Sequence, residues 1–126
     1  MSIPVPVEGL ADAMSGRAFA YLLTVGDDGR PHAVAVTPQL SGTELIAEVG
    51  RRTADNAAAR PGAVSLVWPP AEVGGYSLIV DGVASVSGSS VHVRASKGVL
   101  HRPAPVGAGP AEPGSCGNDC VGVPIP

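Results

Sequence analysis

Short apolar runs that end at glycine- or proline-containing turns constrain the fold of this chain more than any other feature. The first run, residues 19–25, stops at Gly26-Asp27-Asp28-Gly29 and is followed by a second run at residues 31–38. An Asp-Gly pair between two β-rich runs is typical of a hairpin turn, because glycine accepts a positive φ. A turn at residues 41–43 then leads to a third run, residues 44–49. The first half therefore predicts a three-stranded meander.

The second half contains one helical segment and three more apolar runs. Residues 53–60 are rich in alanine, with Thr53 as the expected N-cap and Pro61-Gly62 as the stop. A second short helix is predicted near residues 7–15. The remaining runs lie at residues 63–68, 76–86 and 90–95, and Asp81 inside one of them is expected to face solvent or to form a bulge with Gly82. Six strands with one or two short helices predict a mainly β, antiparallel, closed barrel.

The length of 126 residues bounds the chain to one domain. We expect the barrel domain at residues 1–103, ordered from about residue 8, and a Pro/Gly-rich tail at residues 104–126. The tail carries Cys116 and Cys120. These thiols could ligate a metal, close a reversible disulfide, or remain free, and their spacing does not choose among the three.

Charge and hydropathy exclude several classes of partner. The net charge is −3 and Lys97 is the one lysine, which argues against nucleic acid as a partner. The sequence contains no apolar run long enough to span a membrane and no basic-then-apolar N-terminal segment, so we expect a cytoplasmic protein. Charged residues make up only 15% of the chain, which favours an oligomer that covers some apolar surface.

The most informative segment follows the third predicted strand. Arg51 and Arg52 precede the predicted helix, whose first turn presents free N–H groups and the positive end of the dipole. Together with the Thr53 hydroxyl, they would form a phosphate cradle. The alternative is that both arginines are solvated surface charges and that Thr53 only caps the helix.

An ordered set of segments carries a resemblance to a known family. The set consists of Gly29-Arg30-Pro31-His32-Ala33-Val34-Ala35-Val36-Thr37-Pro38, Arg51-Arg52-Thr53 with Asn56 and Arg60-Pro61, Ala63-Val64-Ser65-Leu66-Val67, and Val80-Asp81-Gly82-Val83-Ala84. In this order the chain, over about residues 18–94, resembles the pyridoxamine 5′-phosphate oxidase-like split-barrel family, which includes the flavin- and deazaflavin-dependent oxidoreductases of actinobacteria.

The resemblance implies a six-stranded Greek-key barrel that forms a homodimer with a cofactor in each interface cleft. The backbone of His32, Ala33, Val34, Ala35 and Val36 would line the ring, and Arg51, Arg52, Thr53 and Asn56 would hold the phosphate. It implies FMN, or else a deazaflavin, and hydride transfer to or from a small organic substrate by the chemistry of the ring. The chain lacks the charged C-terminal segment of true pyridoxamine-phosphate oxidases, so vitamin B6 oxidation is not expected.

His32 and Trp68 each have two possible roles. His32 would contact the ring edge or lie exposed on its strand. Trp68, with Tyr76, brackets a proline-rich loop, so it would contact the cofactor or interface, or else pack beneath the loop.

The function also has alternatives. The same fold serves non-enzymatic carriers of haem, another tetrapyrrole or a flavin, and a third possibility is a structural dimer with an empty cleft.

Overall fold

Residues 2–104 are described by the computed structural model of the chain, and they form eight strands and two short α-helices. The strands are β1 Ser2–Val5, β2 Ala20–Val25, β3 Pro31–Val36, β4 Gln39–Ser41, β5 Glu44–Glu48, β6 Val64–Trp68, β7 Ser77–Ser87 and β8 Ser90–His101. A 3-10 turn at Val7–Gly9 precedes α1, Leu10–Met14, and α2 is Arg51–Ala59. The mainly β prediction with one or two short helices is confirmed. Cys116 and Cys120 lie outside the described residues.

All eight strands belong to one antiparallel sheet. Its order is β3-β2-β6-β7-β8-β5-β4, and β1 pairs with the second half of β8. The outermost strands, β3 and β4, follow each other in the chain with only Thr37-Pro38 between them. The sheet must therefore curl until its two edges approach, which produces a barrel with a gap. Within residues 2–104 no ladder joins β3 to β4, so the predicted closure of the barrel is wrong.

The predicted six strands correspond to β2, β3 and β5 through β8, and the structure adds β1 and β4. Regular secondary structure therefore begins at Ser2, whereas the sequence predicted that the ordered part begins near residue 8. Strand β8 also continues to His101, beyond the predicted end at residue 95. Its second half is stabilised by pairing with β7 on one side and β1 on the other.

The inner face of the sheet forms the hydrophobic core. Alternate residues of β2, β6, β7 and β8 are buried, as a half-buried strand requires. The largest buried apolar side chains of the core are Leu10, Leu22, Leu45, Leu66, Trp68, Leu78, Val80, Val91 and Val93. Leu10 brings α1 onto this core.

The predicted bulge between Asp81 and Gly82 is present. The register of β7 against β8 shifts there, because Asp81 pairs with Lys97 and Gly82 with Ala95, which leaves Ser96 unpaired. A Cβ at residue 82 would collide with the carbonyl oxygen of Arg94. Only glycine fits this crowded position, and Asp81 stays exposed.

Helix α2 begins two residues earlier than predicted. Gly50, in an extended conformation with φ −78° and ψ 173°, is its N-cap, and the first helical hydrogen bond runs from the Ala54 N–H to the Gly50 carbonyl at 3.1 Å. Thr53 is buried inside the first turn, so the prediction that it caps the helix is wrong. Because glycine has no side chain, it provides no cap, and the first N–H groups of α2 have no side-chain acceptor among residues 2–104.

Candidate functional site

The start of α2 opens onto space rather than onto protein. A Cβ placed on Gly50 would meet no atom within 4 Å. The helix dipole puts partial positive charge here, and the free N–H groups are hydrogen-bond donors. This arrangement suits an anion.

Arg51 and Arg52 add two full positive charges at the same point. Both are exposed. Within residues 2–104 the ion pairs join Arg60 to Asp27 and His92 to Glu44, and they involve neither Arg51 nor Arg52. The donors of both guanidinium groups are therefore available to a ligand.

A groove of about 550 Å³, here called the strand-edge groove, runs from these arginines along β3. Strand β3 hydrogen-bonds only to β2 in the described sheet, so its other edge presents backbone donors and acceptors. The lining residues of the groove are His32, Val34, Ala35, Val36, Glu48, Val49, Gly50, Arg51, Arg52 and Thr53. The groove thus joins an apolar strand edge to a cationic end.

Glu48 is the acidic residue of the strand-edge groove. Its carboxylate accepts hydrogen bonds from the hydroxyls of Ser90 and Ser89, the latter at 2.9 Å. These bonds, first that of Ser90 and then that of Ser89, lower the pKa of Glu48 from its ordinary value. The carboxylate is thus held by the two serines, and it forms no ion pair with Arg51 or Arg52 in the described chain.

A second groove of about 900 Å³, here called the turn groove, lies on the other side of the arginines. It is lined by Gly26, Asp27, Asp28, Arg30, Pro31, His32, Arg51, Arg52, Asp55 and Asn56. The two grooves share His32, Arg51 and Arg52. The cationic start of α2 therefore stands at the junction of two adjoining spaces.

The structure brings together most of the residues that the sequence singled out. His32, Val34, Ala35, Val36, Arg51, Arg52 and Thr53 line the strand-edge groove, and Asn56 lines the turn groove. Ala33 is exposed and lines neither groove. Trp68 is only 2% exposed and packs in the core, which supports the alternative that it is a packing residue. Sequence reasoning missed Glu48, Asp28 and Asp55, whose only signal was charge close to the arginines.

The outer face of the sheet carries a continuous apolar row. In register order, neighbouring strands place side by side Ala35, Tyr21, Val67, Ile79, Val99 and Pro4, here called the outer row. Tyr21 is 41% exposed, and its ring contacts that of Phe19 edge to face at 5.1 Å. Ala35 belongs both to this row and to the strand-edge groove. The groove and the outer row are therefore contiguous at β3.

Residues 2–104 lack two features. Their His, Cys, Asp and Glu side chains form no group of three that could hold a metal ion. Their helices are also too short to cross a membrane.

Solved structures with the same architecture define the class of fold. An F420 reductase matches with a TM-score of 0.58 at 18% identity, covering 69% of this chain and 94% of its own. A Mycobacterium smegmatis FAD-binding protein also matches at 0.58 and 18%, covering 81% and 100%. A Listeria innocua protein provisionally assigned as a pyridoxamine 5′-phosphate oxidase matches at 0.56 and 16%, covering 72% and 92%. The fold is thus the split barrel that the sequence resemblance predicted.

Sequence comparison identifies the family. No family model matches the chain. Two curated proteins, Mb0449c of Mycobacterium bovis and MT0457 of Mycobacterium tuberculosis, are each 39% identical to it over 97% of this chain and 96% of theirs. The chain belongs to the family of these two mycobacterial proteins, which are themselves uncharacterised.

Proposed function

We propose that this protein binds a flavin-type cofactor in the strand-edge groove and serves hydride transfer to or from a small organic substrate. The observation that carries the proposal is the start of α2, which has no side-chain cap and where Arg51 and Arg52, without an ion pair in residues 2–104, open onto the edge of β3. A planar ring that bears a phosphate has the matching chemistry, namely an anionic end and a hydrogen-bonding edge. The names of the similar structures, an F420 reductase and FAD-binding proteins, point to the same class of ligand.

The phosphate would lie at Gly50, Arg51 and Arg52. Free N–H groups and the helix dipole favour a negative charge there, and guanidinium groups bind phosphate through paired hydrogen bonds. Glu48 accepts hydrogen bonds from serine hydroxyls and forms no ion pair with either arginine in the described chain, so the guanidinium donors stay available to a phosphate. The residues present therefore fit a phosphate.

The ring would lie along the free edge of β3. The backbone of residues 32–36 offers donors and acceptors to the polar edge of an isoalloxazine or deazaisoalloxazine ring, and Val34, Val36 and Val49 supply apolar contact. When bound, such a ring carries out hydride transfer by its own chemistry. The residues of the chain bind and orient the ring, and His32 stands where ring and phosphate would meet. FMN is the smallest natural ligand that has both parts.

A homodimer would complete the cleft. The outer row is apolar, spans six strands and reaches the strand-edge groove at Ala35, so a second copy that covers the row would also cover the exposed side of the groove. Aromatic residues such as Tyr21 are enriched at the centre of such contacts.

Equilibrium sedimentation tests the proposed homodimer. The wild type and the Val83→Asp control, an exposed valine outside the outer row, should be dimers. Tyr21→Asp should be a monomer, and a dimeric Tyr21→Asp would contradict the assignment of the outer row.

Absorbance of the purified protein tests the cofactor. We expect FMN to saturate at one per subunit with a shifted flavin band, and a deazaflavin phosphate to compete for the same site. Arg52→Ala should weaken FMN binding, while Arg94→Ala, which removes an exposed arginine that lines neither groove, should not. A Soret band on adding haem, with no flavin binding, would move the protein to the tetrapyrrole carriers. No band with any of these ligands would leave the fold without this function.

A further inference from the structure

The strand-edge groove carries opposite charges at different points along its wall. Glu48 lines it three residues before Arg51, and Gly50 between them is extended. Three residues of extended chain span at most about 10 Å. Arg51 and Arg52 also line the turn groove, whereas Glu48 lines only the strand-edge groove. A small ligand in the strand-edge groove can therefore meet two guanidinium groups near the turn groove and a carboxylate away from it.

The Glu48 carboxylate is held by the turn between β7 and β8. The hydroxyl of Ser89 donates to Oε1 at 2.9 Å, and the hydroxyl of Ser90 donates to Oε2. The bonds of Ser90 and then Ser89 also lower the pKa of Glu48. An ionised carboxylate has about four acceptor positions, so each oxygen can accept another hydrogen bond. The ion pairs within residues 2–104 do not involve Glu48, so its charge is available to a ligand.

A structural role alone does not account for this carboxylate. The backbone already joins the β7–β8 turn to β5, since β5 pairs with β8 up to the turn and the Val49 N–H donates to the Ser89 carbonyl at 2.8 Å. Glu44, four residues earlier on β5, lies 3.6 Å from Nδ1 of His92 and lines neither groove. The two carboxylates of the strand thus differ, because Glu44 lies beside a histidine and Glu48 lines a groove.

A bound flavin phosphate would change the balance of charge in the strand-edge groove. A phosphate ester carries about −1.5 to −2 charge at neutral pH, which offsets the positive charges of Arg51 and Arg52. The carboxylate of Glu48 is then left without a counterion among the residues that line the groove. It would attract a second small molecule that is a cation and repel one that is an anion. A planar cation with two N–H donors could bond both carboxylate oxygens at once.

We propose that Glu48 selects the substrate of the strand-edge groove, and that this substrate is a small organic cation whose N–H groups bond the Glu48 carboxylate. Protonated amines, amidinium groups and guanidinium groups have this chemistry, whereas carboxylates and phosphates do not. The apolar residues of the same groove, Val34, Val36 and Val49, would contact the carbon framework of such a molecule. The inference rests on the proposed function and deepens it, because it names the chemical class of the substrate.

Three matched probes test this selection in the full chain saturated with FMN. Benzamidine, benzamide and benzoate share a planar ring of the same size, and at neutral pH they are a cation, a neutral amide and an anion. Calorimetric titration should show that benzamidine binds about 10-fold more tightly than benzamide, as expected for hydrogen bonds to a charged group. Benzoate should bind most weakly of the three.

Two glutamine variants show whether Glu48 causes the preference. Glu48→Gln keeps the shape of the side chain but removes its charge, so the preference for benzamidine over benzamide should fall to about 2-fold or less. The control Glu44→Gln removes a carboxylate from the same face of the same strand, outside both grooves, and should keep the preference of the wild type. Because each value is a ratio of two ligands on one variant, a general change in folding or in FMN occupancy cancels.

The outcomes separate this inference from the function on which it rests. Equal affinities for benzamidine and benzamide, or a preference that survives in Glu48→Gln, would overturn the selection by Glu48 and leave the flavin function intact. A preference lost equally in Glu44→Gln would also overturn it, because the effect would then come from the general surface charge. Failure of the wild type to bind FMN or a deazaflavin phosphate would overturn both.

Discussion

Arginines occur in two contrasting settings in this molecule. Arg17 lies half-buried beneath the loop between β6 and β7, and its guanidinium donates to four backbone carbonyls, those of Ala13 and Tyr76 at 2.7 Å, Pro69 at 3.1 Å and Trp68 at 3.5 Å. Arg51 and Arg52 are exposed and engage no carboxylate in the described chain. The same side chain thus stabilises the fold where its donors are occupied, and it is available to a ligand where they are not.

The largest effect should come from Arg17. Arg17→Met keeps much of the apolar stem but removes every donor from four carbonyls, so we expect a loss of about 2–3 kcal/mol in the free energy of unfolding. Chemical denaturation measures it directly. FMN affinity of the folded variant should be unchanged, because Arg17 lines neither groove. A variant as stable as the wild type would show that the hydrogen bonds of Arg17 do not stabilise the fold.

The next effect should appear in binding and not in stability. Arg52→Ala should weaken FMN binding by about 1.5–3 kcal/mol, or roughly 10- to 150-fold, which is the range for hydrogen bonds to charged groups. Its free energy of unfolding should stay within about 0.5 kcal/mol of the wild type, as for other exposed substitutions. Calorimetric titration and denaturation of the same preparation give both values. A destabilised variant with normal FMN affinity would mean that Arg52 is a structural residue like Arg17.

Arg60 provides an intermediate case. It donates to the carbonyl of Val25 at 3.2 Å and to Asp27 at 2.8 Å, but Asp27 is almost fully exposed. We expect Arg60→Ala to cost about 0.5–1.5 kcal/mol in stability, since exposed ion pairs contribute little. FMN affinity should not change. If Arg60→Ala weakened FMN binding as much as Arg52→Ala, the cationic site would extend along the whole of α2.

The smallest effect concerns Glu48, whose carboxylate lies in the same groove as Arg51 and Arg52. Because its pKa in the folded chain is lowered by Ser90 and then Ser89, it stabilises the fold above its unfolded pKa, and this contribution disappears as the pH falls through the folded pKa. In Ser89→Ala/Ser90→Ala we expect the pKa of Glu48 to rise toward its ordinary value, and the stability difference from the wild type to vanish on acidification. NMR titration of the Glu48 carboxyl carbon tests this. A pKa that stays low would show that a nearby positive charge, such as that of His92, and not the serines, holds the carboxylate ionised.

Much of the fold was predictable because local chemistry determines it. The β2–β3 turn follows from Asp28-Gly29, where Gly29 adopts a φ of +79°. The bulge follows from a charged residue and a glycine inside an apolar strand. The short strands β1 and β4 were missed because four and three residues carry too little alternation. Strand β1 forms by pairing with the distant strand β8, which no local pattern records, whereas β4 forms a tight hairpin with β5.

The site was predictable only in part, and for a similar reason. Arg51 and Arg52 are adjacent in sequence and precede a helix, so their cluster is local. The start of α2 was misplaced because Thr53 is a common N-cap, whereas burial of Thr53 and an extended Gly50 decide the matter in three dimensions. The role of Arg17 was invisible because three of its four acceptors are backbone carbonyls 51 to 59 residues away.

The central claim is that the start of α2 binds a phosphate, and one comparison tests it most directly. Riboflavin and FMN share the ring and differ by the phosphate, so the ratio of their dissociation constants measures the contribution of the phosphate alone. We predict that the wild type prefers FMN by roughly 10- to 150-fold, and that Arg51→Ala/Arg52→Ala loses most of this preference while it still binds riboflavin. Equal affinities for riboflavin and FMN in the wild type, or a preference that survives in the double variant, would contradict the account.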